Sequence, residues 1–126
     1  MSQRKRARLR EDLQREIAAI VEFESRDPIV RAAFPTVMDV QLSADARYAK
    51  VFVAAGAPSD AAELLRALEH DRGFYRSLLA ERLDVRHTPE IHFSIDETVE
   101  RAMRLEAILR DEPESPPSVN DTTTRA

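Results

Sequence analysis

The chain has no cysteine and only two glycines, Gly56 and Gly73, among its 126 residues. The absence of cysteine excludes a disulfide framework, a thiol nucleophile and a thiolate metal site. Two isolated glycines cannot build a P-loop or a dinucleotide-binding turn, because each of those motifs needs several glycines in one short loop. The only asparagine, Asn120, lies near the C-terminus, which disfavours acyl-phosphate hydrolysis by an arginine and asparagine pair.

Long apolar runs are also missing. No stretch approaches the roughly 18 apolar residues of a membrane helix. The basic first residues are followed by Glu, Asp and Arg instead of the apolar core of a signal peptide. We therefore expect a cytoplasmic protein without a membrane contact, with room for one domain and one core.

The three histidines, His70, His87 and His92, fit no metal-binding pattern. No two of them are four residues apart, and no thiolate is available as a partner ligand. We expect them to be surface or loop histidines. The sequence thus predicts no metal, no cofactor and no enzymatic activity.

Charge is distributed unevenly along the chain, although the net charge of -4 by itself argues weakly against nucleic-acid binding. Residues 1–10 contain five cations and no acid, whereas residues 111–126 contain four acids, three prolines and a single arginine. Such a composition cannot bury enough apolar surface to fold. We expect a domain over residues 1–110 with a basic N-terminal arm, followed by a disordered acidic, proline-rich tail over residues 111–126.

The first element predicted is an amphipathic helix over residues 6–24. Its apolar residues recur at helical spacing and form one stripe, namely Leu9, Leu13, Ile17, Ile20 and Val21. Pro28 disfavours helical geometry in Asp27, so the helix should end by about Ser25.

Three strands are predicted from alternating apolar residues. Residues 36–43 place Met38, Val40 and Leu42 on one face, and residues 47–55 place Ala49, Val51 and Val53 on one face. The short connection between these strands predicts an antiparallel hairpin. Residues 90–95 should form the third strand, giving a sheet with one covered and one open face.

Helical patterns lie between the second and third strands and after the third. The first pattern is broken at residues 71–73, which predicts two helices or one kinked helix joined at Gly73. The last helix should begin at Asp96 as N-cap and run through Leu109. The chain is therefore predicted to be α+β, with a three-stranded sheet and helices on one face.

Two basic sets are candidates for RNA contact, because arginine forms forked hydrogen bonds to phosphate. The first set lies at the start of the chain and comprises Arg4, Lys5, Arg6, Arg8 and Arg10. The second lies along and after the helical pair and comprises Arg66, Arg72, Arg76, Arg82 and Arg86. Each set also has an interpretation that involves no RNA contact. The first could be a solvated leader, and the second could be an ordinary charged helix surface.

The open sheet face supplies a third candidate. Lys50 lies between Tyr48 and Phe52, and these aromatic rings could stack on bases. The alternative, which we favour, is that Tyr48 and Phe52 pack under the N-terminal or the C-terminal helix.

The chain resembles the ribosome-binding factor A family over nearly all of residues 4–110. The resemblance rests on the order and spacing of several segments, Arg15-Glu16-Ile17-Ala18, Asp27-Pro28, Ala49-Lys50-Val51-Phe52-Val53, Arg72-Gly73-Phe74-Tyr75-Arg76, Arg82-Leu83 and Arg86-His87-Thr88-Pro89-Glu90-Ile91-His92-Phe93. It implies a type II KH-like fold and a monomer that binds the small (30S) ribosomal subunit and its 16S rRNA. It further implies a role in late maturation, in processing of the rRNA 5′ end and in growth in the cold, with an assembly GTPase as a further candidate partner.

One position departs from the family pattern. In that family, an interhelical Ala-x-Gly kink replaces the Gly-x-x-Gly phosphate loop of ordinary KH domains. This chain keeps Gly73, which is a further candidate RNA contact, but has Asp71 in place of the alanine. We expect Asp71 to cap the second helix and to place an acid where an RNA backbone could approach.

Two other functions compete with rRNA binding. A protein-interaction adaptor could use the open sheet face and the acidic tail without touching RNA. A small hydrolase is disfavoured by the missing residues described above.

Overall fold

The computed structural model describes residues 2–56 and 59–96, together with Thr98, Leu105 and Leu109. The chain divides into two compact units, residues 1–96 and residues 97–126. The first unit contains, in chain order, α1 (Gln3–Phe23), α2 (Pro28–Ala33), β1 (Thr36–Leu42), β2 (Tyr48–Ala54), α3 (Ala61–His70), α4 (Arg72–Arg82) and β3 (Glu90–Ile95).

Helix α1 begins three residues earlier than predicted, because the Ser2 hydroxyl caps it by accepting a hydrogen bond from the Lys5 backbone N–H at 3.2 Å. The basic N-terminal residues are therefore part of the helix and not an extended arm. All five residues of the predicted apolar stripe are buried.

Helix α2 is an element that the sequence pattern did not predict. Asp27 accepts a hydrogen bond from the Ile29 backbone N–H at 2.8 Å, and Pro28 occupies the first helical position. Proline is well suited to that position, since its fixed φ is helical and its missing N–H has no partner there anyway. The Asp27-Pro28 dipeptide thus starts a second helix shortly after α1 ends at Phe23.

The sheet has the strand order β1-β2-β3, with β1 and β2 antiparallel and β2 and β3 parallel. The predicted hairpin and third strand are confirmed. The predicted inward position of Met38 is wrong, because the register shifts between Val37 and Asp39. This bulge buries Val37 and leaves Met38 38 % exposed.

Helices α1, α3 and α4 pack against one face of the sheet. Ala49, Val51 and Val53 of β2 are buried in one cluster with the apolar stripe of α1, and Ile91 and Phe93 of β3 belong to the same cluster. On the other face, Tyr48 and Lys50 are exposed. The α+β class with one helix-covered face is confirmed.

The predicted break in the helical pair lies at Asp71, between α3 and α4. Gly73 belongs to the first turn of α4, has no positive φ, and a Cβ built on it meets no atom within 4 Å. The break therefore does not depend on the conformational freedom of glycine.

Beyond Asp96, the residues Thr98, Leu105 and Leu109 are helical. The other residues of the predicted last helix, and the predicted tail over residues 111–126, lie outside the described residues. No helix in the described part of the chain combines the length and the apolar character that a membrane span requires.

Candidate nucleic-acid interface

A groove of about 470 Å³ lies where α4, the β1–β2 turn and the segment before β3 come together. Its apolar floor includes Leu9 of α1 and Val85. Its rim carries the cations Arg47, Arg76 and Arg86, with His87 beside them. We call this surface, defined by Arg47, Arg76, Arg86 and His87, the basic groove.

The parallel pairing of β2 and β3 assembles the basic groove. Parallel strands place their N-terminal ends side by side, so the residue before β2 meets the segment before β3. The Glu90 backbone N–H accordingly donates to the Arg47 carbonyl at 2.9 Å. Arg86 and His87, which precede β3, are thereby placed next to Arg47.

Arg76 lies at the centre of this surface. It lines the basic groove and two neighbouring depressions, one with Ser77 and Ala80 and one with Arg72 and Ile91. One guanidinium nitrogen, Nη2, donates to the Thr88 carbonyl at 2.9 Å. An arginine has five N–H donors, so the remaining ones can bind phosphate oxygens while this bond holds the side chain in place.

The other groove residues differ in how firmly they are held. Arg86 is exposed, and its side chain makes no hydrogen bond or ion pair within the described part of the chain. The one acid in the groove lining, Asp45, accepts hydrogen bonds from the Ser43 hydroxyl and from the Arg47 backbone N–H. These two bonds lower the pKa of Asp45 below its usual value, and the bond from Ser43 has the larger effect.

The predicted N-terminal cations fall into two groups. Arg6 donates to the carbonyls of Ser43 at 3.1 Å and Leu42 at 2.6 Å. Arg10 donates to the Val40 carbonyl at 2.9 Å and forms an ion pair with Asp39 at 2.6 Å. Both side chains therefore fasten α1 to the outer edge of β1.

The remaining N-terminal cations, Arg4, Lys5 and Arg8, are exposed. Their side chains make no hydrogen bond or ion pair among the described residues. Lys5 lies one helical turn before Leu9, on the face of α1 that lines the groove. Of these three free cations, Lys5 thus lies on the same side of α1 as the basic groove.

Arg82 and Arg72, both predicted RNA contacts, lie in ion pairs. Arg82 forms a two-pronged pair with Glu24, at 2.7 and 2.5 Å, which raises the pKa of the arginine and lowers that of the carboxyl. Arg72 Nη1 lies 2.6 Å from His92 Nδ1 and 3.4 Å from a Glu69 carboxylate oxygen. Both arginines therefore already have partners within the protein.

Asp71 does not act as the predicted cap, since its side chain makes no capping hydrogen bond. It is 8 % exposed and accepts two hydrogen bonds from Arg26, at 3.0 and 2.8 Å. The Arg26 guanidinium also lies 4.4 Å from the centre of the Phe74 ring. The acid that replaces the family alanine is therefore paired and buried, and it is not presented at the surface.

On the open sheet face, Tyr48 is 50 % exposed and Phe52 is partly buried. We expected these rings to pack under the N-terminal or the C-terminal helix; most of the C-terminal helix lies outside the described residues, and the position of the N-terminal helix excludes packing under it. Helix α1 contacts β1 from the opposite side of the sheet. Lys50 Nζ lies 5.7 Å from the Phe52 ring centre, within the range of a cation–π contact.

Sequence reasoning missed Arg47 and His87 as members of the site. The sequence pattern places Arg47 at the start of a strand and His87 in a loop, without a role in binding. The signal that could have found them is the β2–helix–helix–β3 order, since a crossover connection of this length joins parallel strands and brings their N-terminal ends together.

Comparison with known proteins identifies the family of this chain. The family model described as ribosome-binding factor A matches residues 5–109. The chain belongs to the ribosome-binding factor A family. It is 44 % identical over 107 residues to ribosome-binding factor A of Thermomicrobium roseum, which covers 84 % of this chain and 81 % of the relative. For the same factor of Chromohalobacter salexigens, identity is 38 % over 105 residues, with 81 % and 79 % covered.

Solved structures of the family have the same fold. The crystal structure of ribosome-binding factor A from Thermus thermophilus matches with a TM-score of 0.61 at 27 % identity, covering 71 % of this chain and 92 % of that one. A homology model of the T. thermophilus factor was fitted into a cryo-electron-microscopy map of a 30S complex. It matches with a TM-score of 0.58 at 31 % identity, covering 71 % of this chain and 92 % of that one. The predicted KH-like fold is confirmed.

Proposed function

We propose that this family member is a non-catalytic assembly factor that binds the small ribosomal subunit by contacting 16S rRNA with the basic groove. The observation that supports the proposal is the clustering of Arg47, Arg76 and Arg86 around one concave surface, with Lys5 on the adjacent face of α1. The T. thermophilus relative that was fitted into a 30S map supports the choice of partner.

The chemistry of the groove suits binding to an RNA backbone. Guanidinium groups offer planar pairs of N–H donors that match phosphate oxygens, and a concave surface lets several of them contact one strand or two adjacent ones. Phosphate contacts fix position without reading sequence. Recognition then rests on RNA shape, as is common for proteins that bind structured RNA.

We further propose that the protein acts late in maturation and supports processing of the rRNA 5′ end. A factor that prefers an immature rRNA shape must lose affinity when that shape matures, because binding shifts an equilibrium only through different affinities for the two states. An assembly GTPase that drives this change is a further candidate partner.

Sedimentation of cell lysate tests the proposal. We expect the protein to comigrate with free small subunits and to be depleted from translating ribosomes, and removal of its gene should let small subunits with unprocessed rRNA 5′ ends accumulate in the cold. The proposal fails if the protein stays at the top of the gradient and the deletion strain processes its rRNA normally. The adaptor function would then replace it.

A further inference from the structure

The end of α1 opposite the basic groove carries an apolar face. Phe23 is 83 % exposed, Phe34 is 78 % exposed and Ile29 is 40 % exposed. Pro28 and Ala32 are also exposed and lie between them on α2. We call this surface, defined by Phe23, Pro28, Ile29, Ala32 and Phe34, the apolar face.

The apolar face is grooved on both sides of α2. One groove, of about 590 Å³, includes Phe23, Pro28, Ala32 and Phe34 in its lining, and the other, of about 250 Å³, includes Pro28, Ile29 and Ala32. Exposed apolar residues scattered singly are normal on protein surfaces, whereas a contiguous set that lines grooves marks an interaction surface. Burial of such a surface by a partner would be favourable.

Phe34 is held exposed by the backbone. It adopts left-handed geometry, with φ 47° and ψ 60°, which is unusual for a bulky residue. The Gly56 backbone N–H donates to the Ala33 carbonyl at 2.8 Å, and a Cβ on Gly56 would lie 3.2 Å from Phe34 Cβ. This close approach fixes the turn, so the exposed ring belongs to an ordered surface.

Charges around the apolar face distinguish it from the basic groove. Glu22 and Glu63 line its two grooves, Asp27 caps α2, and Arg31 is the cation beside them. None of these four side chains forms an ion pair among the described residues. The rim therefore has an excess of two negative charges, since three acids stand against one arginine.

We propose that the apolar face binds a protein of the small subunit through a segment whose apolar side chains enter the grooves and whose flanking Lys or Arg residues face Glu22, Asp27 and Glu63. An RNA strand is disfavoured there, because its phosphates would face an excess of acids. The inference rests on the proposed function, which brings the chain to the small subunit. Helix α1, about 30 Å long, would then separate an RNA contact at one end from a protein contact at the other.

Binding measurements with two RNA-containing partners test the inference. The variant Phe23→Ser/Phe34→Asn removes both rings, and asparagine tolerates the left-handed backbone at position 34. We expect its affinity for intact purified small subunits to fall about tenfold or more, as for loss of interface hot spots. Its affinity for protein-free 16S rRNA should be unchanged. The matched variant Phe23→Tyr/Phe34→Tyr keeps both rings and should bind subunits like the wild type.

Photo-crosslinking identifies what the face touches. With p-benzoylphenylalanine in place of Phe34 and purified small subunits as the probe, we expect a crosslinked product that survives ribonuclease and contains a subunit protein. A crosslink to rRNA, or no crosslink together with unchanged subunit affinity of the Phe23→Ser/Phe34→Asn variant, overturns the inference. Wild-type protein that binds no subunits contradicts the proposed function itself, whereas wild-type binding with an unaffected variant contradicts this inference alone.

Discussion

Tyr75 is the largest fully buried side chain, and its hydroxyl lies 2.7 Å from Ser25 Oγ. Ser25 Oγ donates its single hydrogen to the Val21 carbonyl at 2.7 Å. Tyr75 must then donate to Ser25. One serine therefore connects the end of α1 to the centre of the core.

The direction of these two bonds predicts an asymmetry between substitutions. Tyr75→Phe removes one hydrogen bond but leaves Ser25 bonded to Val21, and should cost about 1 kcal/mol. Ser25→Ala leaves the buried Tyr75 hydroxyl without a partner and should cost about 2 kcal/mol. Urea unfolding of both variants measures the difference. Equal losses, or a larger loss for Tyr75→Phe, would contradict the assignment of donors.

Burial also predicts a pH dependence. Desolvation by burial raises the pKa of Tyr75 above its ordinary value of 10.0. Because the folded protein holds the proton more tightly than the unfolded chain, this contribution is fully present below pH 10 and is lost as pH rises through the folded-state pKa. The free energy of unfolding of the wild type should therefore fall more steeply above pH 10 than that of Tyr75→Phe. Parallel curves would show that Tyr75 is not the group responsible.

Replacement by alanine should have opposite effects on stability at the two glycines. Gly73 has open space around its Cβ position and lies in a helix, so Gly73→Ala should stabilise the fold by about 0.5–1 kcal/mol. A Cβ on Gly56 would lie 3.0 Å from the Ala33 carbonyl oxygen, so Gly56→Ala should be destabilising. Thermal unfolding of the pair checks this. A destabilised Gly73→Ala variant would mean that the helix break needs glycine after all.

Among the elements, the edges of the sheet are protected by charged side chains. Arg6 and Arg10 bond to carbonyls of β1, and Glu22 accepts the Val37 backbone N–H at 3.0 Å. On the other edge, Glu69 of α3 accepts the Phe93 backbone N–H. Exposed strand edges invite pairing with other chains, so these contacts also protect against aggregation.

The division of the N-terminal cations can be tested by stability alone. Arg6→Met and Arg10→Met keep most of the apolar stem but remove the donors to β1. Each should lower the free energy of unfolding by about 1 kcal/mol, since these contacts are partly exposed. Lys5→Met and Arg8→Met should change it by less than about 0.5 kcal/mol. Urea unfolding of the four variants is the measurement. Similar losses of stability in all four variants would contradict the division, because they would show that Arg6 and Arg10 do not differ from the free cations.

Local patterns predicted most of the elements, and long-range contacts account for what they missed. The stripe of α1 and the alternation of β2 depend on near neighbours only, and both were found. The bulge that inverts Met38 depends on its pairing with β2, which alternation within one strand cannot reveal. The partners of Arg6 and Arg10 lie 29 to 37 residues away, so the sequence could not show that these cations are engaged.

At the scale of the whole molecule, the sequence predicted a candidate site rich in arginine, but it did not predict which residues form it. Arg76 and Arg86 were found from charge alone, and both line the basic groove. Arg82 was placed in the same set, but its pair with Glu24 joins residues 58 positions apart. Only the packing of α1 against α4 brings that pair together.

The basic groove itself is tested most directly by equilibrium binding to 16S rRNA over a range of salt concentrations. We expect Arg76→Glu/Arg86→Glu to lower affinity at least about tenfold and to reduce the slope of log affinity against log salt by about 1 to 2, as expected when phosphate contacts are lost. Arg66→Glu, an exposed arginine of α3 outside the groove, is the control with the same type of charge change and should bind with a nearly unchanged slope. If Arg76→Glu/Arg86→Glu folds normally and keeps the wild-type affinity and slope, the basic groove is not the rRNA-binding surface.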